Sequence, residues 1–149
     1  MTKPVKLSVF FDWLDSGTTE IETLWAEPSG EGWRVDNIPF YAKSLALNDL
    51  VLAKKGEDGE LLFERLLSPS GHSTIRLWFA SEEFVQDVRD ALRAMGCESE
   101  LSDLSRLVAV DVPPDVNYEE VSRYLDSLEH SGVLEYEEAC LGFRRDGGG

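Results

Sequence analysis

Only two histidines and two cysteines occur among 149 residues, and no lysine follows Lys55. Each scarcity removes a class of chemistry. Cys97 and Cys140 stand in no CxxC or Cys/His cluster, so a zinc site has no basis and no cofactor is expected. Without export features they read as reduced core thiols. The first apolar run, in "MTKPVKLSVFF", is too short to span a bilayer and lacks a small-residue cleavage site. A cytoplasmic protein without membrane association is therefore expected. The glycines of "SGEG" and "GEDG" precede neither a P-loop lysine nor a helix and read as hairpin turns. Lys and Arg total 14 against 29 acids, a net charge of −15 and a pI near 4.4. Phosphate binding needs concentrated positive charge, so a nucleic-acid groove is not expected.

What is present is a packed globule, 42% apolar with four tryptophans. Its charge is uneven: residues 1–70 hold 12 acids and 7 bases, net −5, and residues 71–149 hold 17 acids and 7 bases, net −10. Solubility alone accounts for part of that acidity.

The first half reads as short strands separated by turns. Val5–Phe11 and Ile21–Ala26 are strand segments; "EPSGEG" reverses the chain into Trp33–Val35. Leu50–Ala53 runs through "KKGEDG" into Leu61–Leu67, a hairpin. Such a set hides one face most economically by curling into a barrel-like sheet. "DNIPFYAKSLALNDL" is placed as a loop or short helical turn plugging one end.

The second half alternates strand and helix. Thr74–Phe79 puts Ile75, Leu77 and Phe79 on one side and Thr74, Arg76 and Trp78 on the other. A helix follows from an N-cap at Ser81, with Val85, Val88 and Leu92 at helical spacing, and Gly96 ends it. Glu98–Leu101 and the almost wholly apolar Leu107–Val112 are strands. A second helix starts at Asn117, where Glu120 has capping-box spacing; its stripe is Val121, Tyr124, Leu125 and Leu128, and Gly132 closes it. Leu134–Glu138 is the last strand, and its acids keep an edge from aggregating. The fold class is therefore α+β: a small β-barrel-like domain over 1–70, a ferredoxin-like βαββαβ domain over 71–143, and a frayed tail over 144–149. In that topology Cys97 and Cys140 lie about three strand spacings apart, roughly 14 Å, too far for a disulfide. Halves of about 70 residues are barely stable alone, so the open sheet face carrying Arg76 and Trp78 is expected to be at least partly shielded by the β domain or a partner.

Four stretches, "ETLWA" (Glu22–Ala26), "DNIPFYA" (Asp36–Ala42), "LALNDLV" (Leu45–Val51) and "SGHSTIRL" (Ser70–Leu77), together resemble the bacterial domain-of-unknown-function family 4265. The resemblance covers the β half and the joint, with Asn48 where the family pattern has glycine; Asn also tolerates a left-handed turn. It implies no activity, substrate or cofactor. It does gather residues of unusual chemistry: Trp25, Asp36, Asn37, Tyr41, His72 and Ser73, to which Trp78 is added as a possible contact residue.

His72, Asp36 and Ser73 are hydrolytic residue types, yet no GxSxG elbow surrounds the serine. A structural role fits better, with His72 and Asn37 donating to exposed carbonyls at the joint. His130 caps a helix end. Function is thus expected in interaction: an acidic inhibitor, antitoxin or immunity-type protein steered to a basic protein partner. The alternative is a small-ligand regulatory protein with a pocket at the joint. Hydrolysis through His72 stands third, and no catalytic residue is assigned.

Overall fold

The computed structural model describes residues 5–12 and 18–144. Five strands form the first half: β1 (Val5–Asp12), β2 (Thr19–Ser29), β3 (Gly32–Val35), β4 (Leu50–Lys55) and β5 (Leu61–Ser68). Successive strands pair antiparallel, and β1 also pairs with β5 in parallel at Leu7↔Leu61 and Ser8↔Leu62, so the sheet closes on itself. The alternation of β2 explains its seat: Glu22, Leu24 and Ala26 are buried while Ile21, Thr23 and Trp25 face outward. Leu7, Val9, Leu24, Ala26, Val35 and Val51 fill the interior, and Ala42 and Leu45 of the β3–β4 loop complete it. That loop contains turns and no helix.

The second half comprises β6 (Ser73–Phe79), a short 3-10 turn (Glu82–Phe84), α1 (Val85–Ala94), β7 (Ser99–Leu101), β8 (Leu107–Val112), α2 (Tyr118–His130) and β9 (Leu134–Cys140). The sheet order is β7-β8-β6-β9, antiparallel throughout. Ile75, Leu77, Phe79, Val108 and Val110 pack against Val88, Leu92, Val121 and Leu125 of the helices. The Ser81 hydroxyl accepts from Glu83 N, and Gly96, at φ +98, ends α1. At α2 the Asn117 side chain accepts from Glu119 N at 3.0 Å, while Glu120 offers its backbone N–H to the Asn117 carbonyl at 3.2 Å. The cap is therefore Asn117 acting on the second helical residue, and the expected reciprocal side-chain bond is not among those of the described residues. Both cysteines are buried and neither is in a disulfide; burial followed by the Asp111 charge pushes the Cys97 thiol up to about 11. The expected tail lies, from residue 145, outside the described residues.

The halves meet on the sheet face away from the helices. Thr74 Oγ1 donates to Leu45 O at 3.1 Å, and Arg76 Nη1 donates to the carbonyls of Phe40 and Tyr41 at 2.9 and 3.2 Å. Ser44 N donates to Ala139 O at 3.2 Å. The β3–β4 loop thus shields Thr74 and Arg76, both buried.

Candidate functional site: the joint and its cleft

Three buried carboxylates organise the loop between β3 and β4. Glu22, inward-facing on β2, accepts from the backbone N–H groups of Phe40, Tyr41 and Ala42 at 2.7, 3.0 and 2.8 Å. Asp49, fully buried, accepts from Ala46 N and Ser70 N, each at 2.9 Å. Hydrogen-bonded N–H groups are what make a carboxylate tolerable away from water. Asn48 takes the left-handed conformation, φ 69, as its chemistry allows. Asn37 differs from expectation: its Oδ1 accepts a hydrogen bond from Trp25 N, where donation to a carbonyl was expected.

The third carboxylate is Asp111 on β8. Its Oδ1 lies 2.8 Å from His72 Nδ1, and His72 Nε2 lies 3.5 Å from Asn48 Nδ2. With Asp111 ionised, Nδ1 carries the proton and Nε2 accepts from the amide. Burial raises the Asp111 carboxyl above its ordinary value, while the hydrogen bond and charge of His72 act in the opposite sense. Asn48 Oδ1 receives Arg34, which also pairs with Glu27 and, at 3.5 Å, with Asp36. A polar chain thus runs from β8 across the joint to β3. The acid beside His72 is Asp111 rather than Asp36, and Ser73, buried, accepts from Gly142 N at 2.9 Å. Nucleophile, base and orienting acid are not assembled there.

A cleft of about 620 Å³ opens where β1 and β2 face the β7–β8 loop. Phe11, Ile21 and Tyr41 form its apolar wall, with Glu20, Glu22 and Asp103 around them. Phe11 and Tyr41 stack with centroids 5.1 Å apart and planes 12° apart. Burial raises the Tyr41 hydroxyl, and the charges of Asp103 and Glu22 raise it further. The expected residues therefore divide: Trp25, Asp36 and Asn37 lie together, joined to His72 through Arg34 and Asn48, whereas Tyr41 serves the cleft. Trp25 keeps an outward ring with the Lys6 amine 5.8 Å from its centroid. Trp78, half-buried, lines two other clefts whose remaining walls all come from the second half. Among the described residues no three His, Cys, Asp or Glu side chains are grouped to hold a metal ion.

The sequence profile of the family described as "Domain of unknown function (DUF4265)" matches residues 22–136. The chain belongs to this family. Among solved structures, one titled as a novel crystal structure of a hypothetical protein from Neisseria gonorrhoeae is similar, with 29% identity, a TM-score of 0.83, and coverage of 95% of this chain and 97% of that one. No curated protein matches. Superposition over 95% of the chain takes in both halves at once, so their mutual placement is shared. The four stretches quoted above now have physical reasons. "ETLWA" supplies Glu22, "DNIPFYA" the N–H groups it binds, "LALNDLV" Asn48 and Asp49, and "SGHSTIRL" Ser70, His72, Thr74 and Arg76, which hold the loop to the second sheet. Sequence reasoning missed Glu22, Asp49 and Asp111. An acid at an inward position of an alternating strand, and another inside an otherwise apolar one, were the available signals.

Proposed function

We propose that the protein is an acidic interaction module that binds a basic protein partner, in the manner of an inhibitor, antitoxin or immunity protein, in the cytoplasm. The observation that carries this reading is how positive charge is spent. In the second half each arginine with a described side chain is already engaged: Arg76, Arg93 and Arg123 with acids, Arg89 with Ser99, and Arg106 with Ala80 O. Glu83, Asp87, Glu100, Asp103, Asp115 and Glu120 have no ion-pair partner among the described residues. The outward field is negative, and it accelerates encounter with a basic surface. The reading also takes the closed β1–β5 sheet as a small barrel and residues 71–143 as a ferredoxin-like domain; the β7-β8-β6-β9 order with crossovers through α1 and α2 supports that topology. Among the described residues no helix is long and apolar enough to cross a membrane.

The test is affinity capture from the native host at low salt, followed by association kinetics with the captured protein. A basic partner whose on-rate falls steeply as salt rises is expected. A salt-insensitive partner, or none, removes the reading. The 620 Å³ cleft favours one alternative, a small-ligand regulatory protein, since its size lies within the usual range for ligand sites. A metabolite panel that raises the melting temperature by mass action would select it.

A further inference from the structure

The cleft beside the β7–β8 loop combines two properties. Its wall is apolar and aromatic, from Phe11, Tyr41 and Ile21, and the charged side chains among its described lining residues are the acids Glu20, Glu22 and Asp103. Glu22 is committed to three backbone N–H groups, which leaves Glu20 and Asp103, both exposed, as the carboxylates available to an incoming cation. An apolar shelf adjoins it: Ile21, 56% exposed, sits directly across from Phe10, 54% exposed, on the outer face of β1 and β2. Most outward strand positions carry polar residues, so a cross-strand apolar pair left in water beside a charged cleft has the makeup of an interface core with a polar rim.

We propose, resting on the interaction reading above, that this cleft is the socket in which the basic partner seats an arginine or lysine side chain, with a neighbouring apolar residue laid on the Phe10–Ile21 shelf. The stacked rings of Phe11 and Tyr41 accept the stem and the face of a guanidinium, while Glu20 and Asp103 neutralise its charge. Burial is the first cause of the raised Tyr41 hydroxyl; the charges of Asp103 and Glu22 add to it and that of Arg76 opposes them.

The full chain would be titrated at low salt with acetyl-Leu-Arg-Leu-amide and with the same peptide carrying citrulline for arginine, reading the Ile21 methyl and Asp103 amide NMR signals. Saturable shifts centred on the cleft are expected, at least about tenfold weaker with citrulline. A Glu20→Gln/Asp103→Asn variant should lose about tenfold in affinity, and Glu83→Gln/Asp87→Asn, on the helix side, less than about twofold. Equal losses in the two variants, or citrulline binding as tightly as arginine, would overturn the socket. Phenethylamine binding there more tightly than the arginine peptide would overturn its assignment to a protein side chain. A salt-sensitive partner captured from the host together with an unresponsive cleft would sink this inference and leave the interaction reading standing; a responsive cleft without such a partner would do the reverse.

Discussion

At the scale of single residues, buried carboxylates decide the conformation of the β3–β4 loop. Glu22 is 7% exposed and serves three N–H donors that have no strand to bond to. Glu22→Ala would remove three charge-assisted bonds and orphan the donors, so a loss of about 3–5 kcal/mol in urea unfolding is expected, with Glu22→Gln intermediate. His72 acts through Asp111. His72→Ala leaves a buried carboxylate without its partner and should cost about 3 kcal/mol at neutral pH. The pH dependence has a definite sign. Burial lifts the folded Asp111 carboxyl above 3.8, so its contribution is most favourable below that value and is lost as pH rises through the folded one. His72→Ala removes the two influences that opposed the rise, which extends the window upward. His72→Ala/Asp111→Asn, which has no such proton to bind, should therefore be more stable than His72→Ala near pH 8, and the two should converge on acidification. Parallel curves from pH 4 to 8 would show that Asp111 is not the group concerned.

At the scale of elements, close approach matters more than propensity. A Cβ on Gly142 would stand 2.3 Å from Gly71 O and 2.4 Å from His72 O, both backbone atoms with little freedom to move. Gly142→Ala should thus cost about 3 kcal/mol or more in thermal or urea unfolding. Gly30, at φ +57 in the β2–β3 turn, has open space around it, so Gly30→Ala should cost only the left-handed penalty of about 1 kcal/mol. A reversed order of these two variants would contradict the packing at Gly142. The same contrast explains what the sequence disclosed. Strands and helices were legible because periods of two and of 3.6 mark them, as in the buried phase of β2 and the Val85, Val88, Leu92 stripe of α1. The partners of the joint were not. Glu22 meets Phe40 across 18 residues and His72 meets Asp111 across 39, and no local pattern encodes which acid arrives beside which donor. Residue types alone could not name the acid beside His72: β8 lies next to β6 in the sheet and brings Asp111 there.

At the scale of the molecule, the question is whether the halves unfold together. Each has a core of its own, one of closed strands and one of sheet on helices. Yet the face joining them carries Arg76, 7% exposed, whose Nη2 donates to Glu137 at 2.8 Å and whose Nη1 donates to the carbonyls of Phe40 and Tyr41, while its buried Nε has no hydrogen-bond partner among the described residues. Separating the halves would leave those carbonyls and the guanidinium to be rehydrated while exposing Thr74, and a half of about 70 residues has little stability in reserve. Coupled unfolding follows. It can be read in a Trp78→Phe background, where indole fluorescence reports the first half alone, while the 222 nm ellipticity reports α1 and α2, the only α-helices among the described residues. The two urea transitions should coincide. Adding Arg76→Ala removes the shared guanidinium, which should lower stability by about 3 kcal/mol and pull the midpoints apart, because each core then answers only to its own packing. Coincident midpoints in the Arg76→Ala protein would place the coupling elsewhere, in the bonds that Thr74 and Ser44 make across the same face.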